Sequence, residues 1–360
     1  IAVWADVLNA RDTYRERARN QVVSLQLNQL VGRSLALRAQ TSGQFHDSRW
    51  SFGSFGASQT ERNVQGNLEA VWSAGARHEL SFGANWRHRE TEIAGEFPAD
   101  SVDLGAGAPT RPQLTHPRVD YPGVYLEDKL RLWGPLYATI GGRADWASVP
   151  GVWTLDPRGA LAWRVDAHQT FRVAAGRYHQ LAAAEFLDPV YGNPELGPLR
   201  ADHVIAGWEW KSDAGNVRVE TYRKDYRGLV TTDAATFYAG TGHGYARGVD
   251  VFVQGRWRRL SGWVSYGWMD SRRRERDDPE RVPSPYGVEH SATLVGRWQA
   301  TESFQVGARW TATSGRPYTP VIGGAYDAGR DLWRPVYGEH YSDRMPPYGR
   351  LDLRVTRLFS

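Results

Sequence analysis

Cysteine is absent from the 360 residues. That excludes a disulfide framework, iron–sulfur ligation and thiolate zinc sites. Lysine is nearly absent: Lys129, Lys211 and Lys224 are the only three among 44 basic residues, leaving 41 arginines. Such a bias reads as genomic composition, not as function. No stretch approaches 18 uncharged apolar residues, which excludes a helical membrane span. An excess of one charge is also missing. With 44 basic and 40 acidic residues the net charge is +4, so no nucleic-acid partner is expected. No charged n-region and apolar h-region open the sequence at Ile1; a signal peptide is expected to have been removed or to lie upstream. What abounds is glycine, with 38 residues, and tryptophan, with 16. An aromatic content of 12% is too high for disorder.

Long helical patterns are missing too, and alternation with period two takes their place, which puts one residue class on each face of a strand. From Leu136 to Trp146 one parity reads Leu136, Ala138, Ile140, Gly142, Ala144, Trp146 and the other Tyr137, Thr139, Gly141, Arg143, Asp145. From 303 to 313, Phe304, Val306, Ala308, Trp310 and Ala312 alternate with Gln305, Gly307, Arg309 and Thr311. A soluble sandwich also alternates. Three features favour a membrane barrel. The runs last about 10 to 14 residues, near the roughly 9–11 of a tilted membrane strand and well above the usual soluble strand. Short connections (Gly32-Arg33, 74–76, Gly134-Pro135, 166–168, 214–216, 300–302) alternate with long ones near 44–60, 91–117, 181–198, 229–243, 272–287 and 315–345, as in outer-membrane barrels. Tryptophans such as Trp72, Trp86, Trp146, Trp210, Trp257 and Trp298 gather near strand ends, where amphipathic rings meet the lipid boundary. A polar parity facing a wet lumen then reconciles a membrane protein with a mean hydropathy of −0.55.

Counted back from the end, the candidate strands are 346–359, 303–315, 287–299, 260–272, 243–258, 216–228, 199–212, 169–180, 154–165, 136–147, 119–133, 77–91, 61–73, 34–46, 20–31 and 1–10. The expected fold is therefore all-β, an antiparallel transmembrane barrel wall of about 16 strands (14–16). In the last strand Leu351, Leu353, Val355 and Phe359 alternate with Asp352, Arg354 and Thr356. That ending resembles the membrane-insertion signal of bacterial outer-membrane proteins, read by the barrel-assembly machinery; Ser360 after the Phe departs from it.

Several segments resemble the C-terminal barrel of TonB-dependent outer-membrane receptors. Arg77-His-Glu-Leu-Ser-Phe-Gly83 is similar to that family's hairpin opening. Gly123-Val-Tyr-Leu-Glu-Asp-Lys-Leu-Arg-Leu132, followed by Ile140-Gly-Gly-Arg143, resembles its YLQD…RL…GLR hairpin. Pro157-Arg158 with Ala175-Gly-Arg-Tyr-His-Gln180 fits the next pair, and Tyr191-Gly-Asn-Pro-Glu-Leu-Gly-Pro-Leu199 resembles GNPxLxPE, with Leu199 where an acidic residue is common. Ala246-Arg-Gly-Val-Asp250, Glu289-His290, Gly315-Arg-Pro-Tyr-Thr-Pro320 and the terminal strand complete the order. The resemblance implies a 22-stranded barrel in the Gram-negative outer membrane, in contact with its lipid, with an N-terminal plug that engages the TonB system. No plug and too few strands fit in 360 residues. The span 1–360 is therefore expected to be one partial barrel domain without plug or signal peptide. Its first and last strands are then expected to be free edges or a poorly registered closure.

Chemistry-bearing clusters are few. The ten histidines show no HExxH or other compact ligand spacing, so no metal and no cofactor is expected. Glu275, Asp277, Asp278 and Glu280 are interleaved with five arginines and read as a solvated loop. No GxSxG or triad order is present, so no enzyme is expected. The expected ligand contacts are Arg143, Arg297 and Arg309 on the polar parity and Tyr318, Tyr326, Trp333 and Tyr337 in the last long loop. An internal charge ladder is the plain alternative for the arginines, and ordinary loop packing for the aromatics. The expected function is an outer-membrane receptor for energised uptake of a scarce, bulky small molecule or metal chelate: a ferric siderophore, cobalamin or an oligosaccharide. The rivals are a passive porin-like channel and an adhesive barrel.

Overall fold

The computed structural model describes residues 14–99, 108–329 and 332–357. Its strands are β1 (Arg15–Val31), β2 (Leu35–Phe52), β3 (Phe55–Ala74), β4 (His78–Pro98), β5 (Thr110–Thr115), β6 (Arg118–Asp120), β7 (Gly123–Arg131), β8 (Leu136–Ala147), β9 (Val152–Arg164), β10 (Gln169–Gln180) and β11 (Leu199–Ser212). There follow β12 (Gly215–Asp233), β13 (Phe237–Trp257), β14 (Leu260–Arg274), β15 (Val282–Pro283), β16 (His290–Gln299), β17 (Phe304–Thr313), β18 (Pro317–Tyr318), β19 (Val321–Asp327), β20 (Leu332–Tyr337), β21 (Asp343–Arg344) and β22 (Tyr348–Arg357). All but β18–β21 belong to one sheet, in which chain neighbours pair antiparallel. The pieces β5, β6 and β7 together line one side of β4. Tight turns close the hairpins at one end. At Gly32 and Gly75 the backbone takes φ of +64° and +79° with open space around the missing Cβ, so the left-handed conformation alone favours glycine.

The ladders keep the alternation in step across the wall. One row runs Ala39, Leu68, Ala84, Val124, Ala144, Leu155. Its neighbour runs Gln40, Asn67, Asn85, Gly123, Asp145, Thr154. The apolar face is open: Leu68, Leu126, Ile140, Leu155 and Val173 are all more than half exposed. The polar face is the concave one. Tyr125 donates to Glu69 at 2.6 Å across the intervening β4, and Arg143 to Asn85 at 2.5 Å across β7. Such strand-skipping contacts form on the side toward which a sheet curls. Toward the long-loop end the outer parity turns charged, with Arg177–Asp202, Arg223–Asp225 and Arg247–Asp270 each at 2.9 Å.

The wall departs from the expected loops in three places. The spans 44–60 and 229–243, and the described parts of 91–117, are largely strand. β2 runs to Phe52 and resumes as β3 at Phe55, β4 reaches Pro98, and β12 runs to Asp233 with β13 starting at Phe237. Polar residues such as His46, Asp47, Ser48 and Arg49 hide these extensions, because beyond the apolar band a ladder needs no lipid-facing side chains. The expected strand 1–10 and Phe359 lie outside the described residues. Leu351, Leu353 and Val355 do point outward on β22, at 61%, 70% and 64% exposure. Among the described residues β1 pairs only with β2 and β22 only with β17. Over the described residues the sheet is open, with two free edges.

Candidate functional site

Register places every arginine singled out from the sequence on the concave face, but in different company. Arg143 is committed to the wall. Its Nε donates to Asp145 Oδ2 at 2.6 Å and its Nη2 to Asp145 Oδ1 at 2.5 Å, and Asp145 is 2% exposed. This is the internal charge ladder, repeated by Arg158–Glu127 at 2.9 Å and Arg172–Glu209 at 2.8 Å. Arg297 donates to Ser261 Oγ at 3.3 Å and has no carboxylate partner among the described residues. Arg309 stands opposite Asp352 and Val295 on an exposed stretch of β17.

The aromatic residues of the last loop sit apart from these arginines, on two small hairpins. Tyr326 and Trp333 face each other across β19–β20, ring centroids 5.4 Å apart. Tyr337 pairs with Val321 at the base of that hairpin and is 57% exposed. Tyr318 is on β18 and donates to Asp343 at 2.8 Å. That bond raises the Tyr318 hydroxyl above its ordinary value. Asp343 is held below its own value first by the Arg344 amide and then by Tyr318. The structure brings Tyr326 and Trp333 together but does not gather the loop aromatics and the wall arginines into one site.

Two arrangements were not legible beforehand. In the first, Asp277, Asp278 and His340 bring one ligand atom each within 4.8 Å of one another, joining loop 275–289 to the last loop. His340 Nδ1 lies 2.8 Å from Asp278 Oδ1 and Asp278 is 5% exposed, so a hydrogen bond between loops accounts for the closeness. Burial, then Asp278, raises the neighbouring Tyr341 hydroxyl.

The second arrangement is larger. The segment 181–198 after β10 leaves the wall and turns into the lumen. Its Ala182, Leu187 and Leu196 are each 2% exposed and pack with Val119 and Val230, which lie on the separated strands β6 and β12. Asn193 donates to the Tyr238 carbonyl at 2.8 Å, and Tyr191 to that of Pro112 at 3.3 Å. The segment thus bridges the barrel mouth. Beneath it are two chambers that share Arg87 and Arg89 of β4 as a common wall. The larger, about 510 Å³, meets Gln59, Asn63, Gln65, Glu61 and Glu185. The smaller, about 180 Å³, meets Tyr121, His179, Gln180 and Leu181. His179 is held in place by Asp156, 2.5 Å from its Nδ1.

Residues 2–358 match the family model described as TonB dependent receptor-like, beta-barrel. Among solved structures, the siderophore receptor PiuA from Acinetobacter baumannii superposes with a TM-score of 0.71 at 13% identity, over 96% of this chain and 58% of that one. The ferric-catecholate import receptor Fiu from E. coli K12 gives 0.69 at 14% identity, over 98% of this chain and 59% of that one. The FrpB iron transporter from Neisseria meningitidis gives 0.69 at 14%, over 95% and 56%. The chain spans less than two thirds of the length of each. With an all-β wall of alternating faces and a family match from end to end, the chain belongs to the TonB-dependent receptor β-barrel family.

Proposed function

We propose that this chain is part of the barrel wall of a Gram-negative outer-membrane receptor that takes up a scarce, bulky nutrient in an energised step, ferric chelates first, with cobalamin and oligosaccharides as the alternatives. The observation that carries this reading is the open wall. A passive channel that closes on itself leaves no free edge, and in lipid every unpaired backbone group is costly. A wall whose β1 and β22 each leave one edge unpaired among the described residues is accounted for when further strands of the same receptor close it. Residues 1–360 are then one partial domain. A plug, its contact with the TonB system, assembly by the barrel-assembly machinery and the lipid around the wall are supplied from outside it. Structural neighbours described as siderophore, ferric-catecholate and iron transporters support a ferric chelate as first candidate.

The test is uptake of labelled ferric chelates, cobalamin and oligosaccharides by intact cells with and without the gene, before and after a protonophore. Gene-dependent uptake of one of them, abolished by the protonophore, is the expected result. Gene-dependent uptake that the protonophore leaves unchanged would establish a passive channel instead.

A further inference from the structure

Arginines on the concave face of the central wall are mostly matched by carboxylates, as Arg38 by Glu69, Arg143 by Asp145, Arg158 by Glu127 and Arg172 by Glu209. Arg87 and Arg89 are not. They occupy successive inward positions of β4, two residues apart, so their side chains leave the same face side by side. Neither guanidinium has a hydrogen-bond or ion-pair partner among the described residues. For Arg89 the mismatch is sharper, because its Nη2 is shut off from solvent with nothing to donate to. Buried donors are almost always satisfied, and one that is not calls for a partner that the protein alone does not show.

The surroundings say what that partner is. The outward carboxylate of Glu90, the next residue along β4, is taken by His116 and Arg118, each at 2.8 Å. In the larger chamber Glu61 accepts from Gln59 at 2.6 Å, and Glu185 stands on the bridging segment. The smaller chamber has no carboxylate among its lining residues, and both arginines line it together with Tyr121, His179 and Gln180. Of the acids near it, Asp156 is engaged by the ring and the backbone N–H of His179, and Asp145 by Arg143. At about 180 Å³ it holds one small group. Planar guanidinium forks match carboxylate and phosphate oxygens two at a time.

We propose that Arg87 and Arg89, beneath the 181–198 bridge, form an oxyanion site that takes a single carboxylate or phosphate group. Two sources share this chemistry, a free anionic solute in the lumen and an acidic side chain from a part of the receptor beyond the described residues. The site stands on wall geometry alone, so failure of energised uptake leaves it intact.

The experiment titrates inorganic phosphate and citrate into the receptor purified from outer membranes in detergent, followed by calorimetry. The Arg87→Gln/Arg89→Gln double variant is compared with Arg172→Gln, which also removes wall charge but from a paired arginine. Heat-dependent gel mobility reads folding separately, and Arg89→Lys, which keeps the charge and loses the fork, stands in if the double variant does not fold. Saturable binding that weakens at least tenfold in the double variant, or severalfold in Arg89→Lys, and stays within twofold in Arg172→Gln identifies a free oxyanion. No binding to the native receptor, with an experimental structure that shows one of its own carboxylates bonded to both arginines, identifies the internal source. Binding that the arginine variants do not change overturns the proposal, as does no binding with no carboxylate on the pair.

Discussion

A charge placed on the outer face of β9 measures the depth of the apolar band. Trp153 and Trp163 face outward at 69% and 51% exposure, and the strand makes ten residue steps between them. At roughly 3.3 Å per residue and a tilt of roughly 40° those steps project to about 25 Å along the membrane normal, the height expected of a lipid-facing band flanked by aromatic girdles. Leu161 lies two steps inside Trp163, about 5 Å from the girdle on the same geometry. Its ladder neighbours are Ala138 and Val173, so an arginine there finds no carboxylate opposite. Leu161→Arg should cost about 2 kcal/mol, between the midplane and interface values, or roughly a thirtyfold shift of the folding equilibrium. Leu155→Arg, two steps inside Trp153, should cost the same. Ala160→Arg points into the wet lumen and should stay within about 0.5 kcal/mol. Ile140 is the weaker probe, because Asp128 stands opposite it and would receive the new charge. Equilibrium unfolding of the receptor in lipid vesicles reads all three. Equal losses for Leu161→Arg and Ala160→Arg would refute the assignment of faces, and unequal losses at 155 and 161 would refute the position of the band.

Three further outcomes follow from the same structure. Protease added to intact cells should cut in 315–345 and at the Gly53-Ser54 turn, with no cleavage at 134–135 or 300–302, if the long connections face outward; the reverse pattern inverts the topology. Arg143→Met should destabilise by about 3 kcal/mol, because it leaves the Asp145 carboxylate buried without its cation, and an unfolding titration that shows less than about 1 kcal/mol would assign that charge to solvent. In the 234–236 turn, Asp233 accepts the amide and hydroxyl of Thr236 and the amide of Ala235, each at 2.9 Å. The Thr236 amide first, then its hydroxyl and the Ala235 amide, holds the carboxyl below its ordinary value of 3.8. A carboxyl lowered on folding stabilises the turn above that value and loses the effect as pH falls through the lowered one. Hydrogen exchange at Ala235 and Thr236 should therefore gain an acid-dependent opening that Asp233→Ala lacks.

The lipid-facing half of the wall was legible because lipid imposes a strict rule on it. Every second residue from Leu136 to Trp146 must be apolar or small, so the face of each is set within the strand itself, and the ladder Leu136–Trp163, Ala138–Leu161, Ile140–Gly159 brings like faces together. Where lipid ends, the rule lapses. The hairpin of β2 and β3 runs on through His46, Asp47 and Ser48, held by backbone bonds whose pattern leaves no trace in side-chain hydropathy, and so it reads as a loop. The concave face is less legible still. Arg143 and Arg89 look alike in sequence, each on the polar parity two residues from another charged residue. Only curvature and a chain reversal separate them. Arg143 meets Asp145 on its own strand, a pairing that local spacing could have suggested. The surroundings of Arg89 are set by the bridging segment 181–198, which arrives from β10, ninety residues away in the chain and on another part of the wall. A binding face of this kind arises from strand order and from what folds back over it. The arginines that matter there are those the wall leaves unpaired, and a sequence shows which residues carry charge but not which of them remain without a partner.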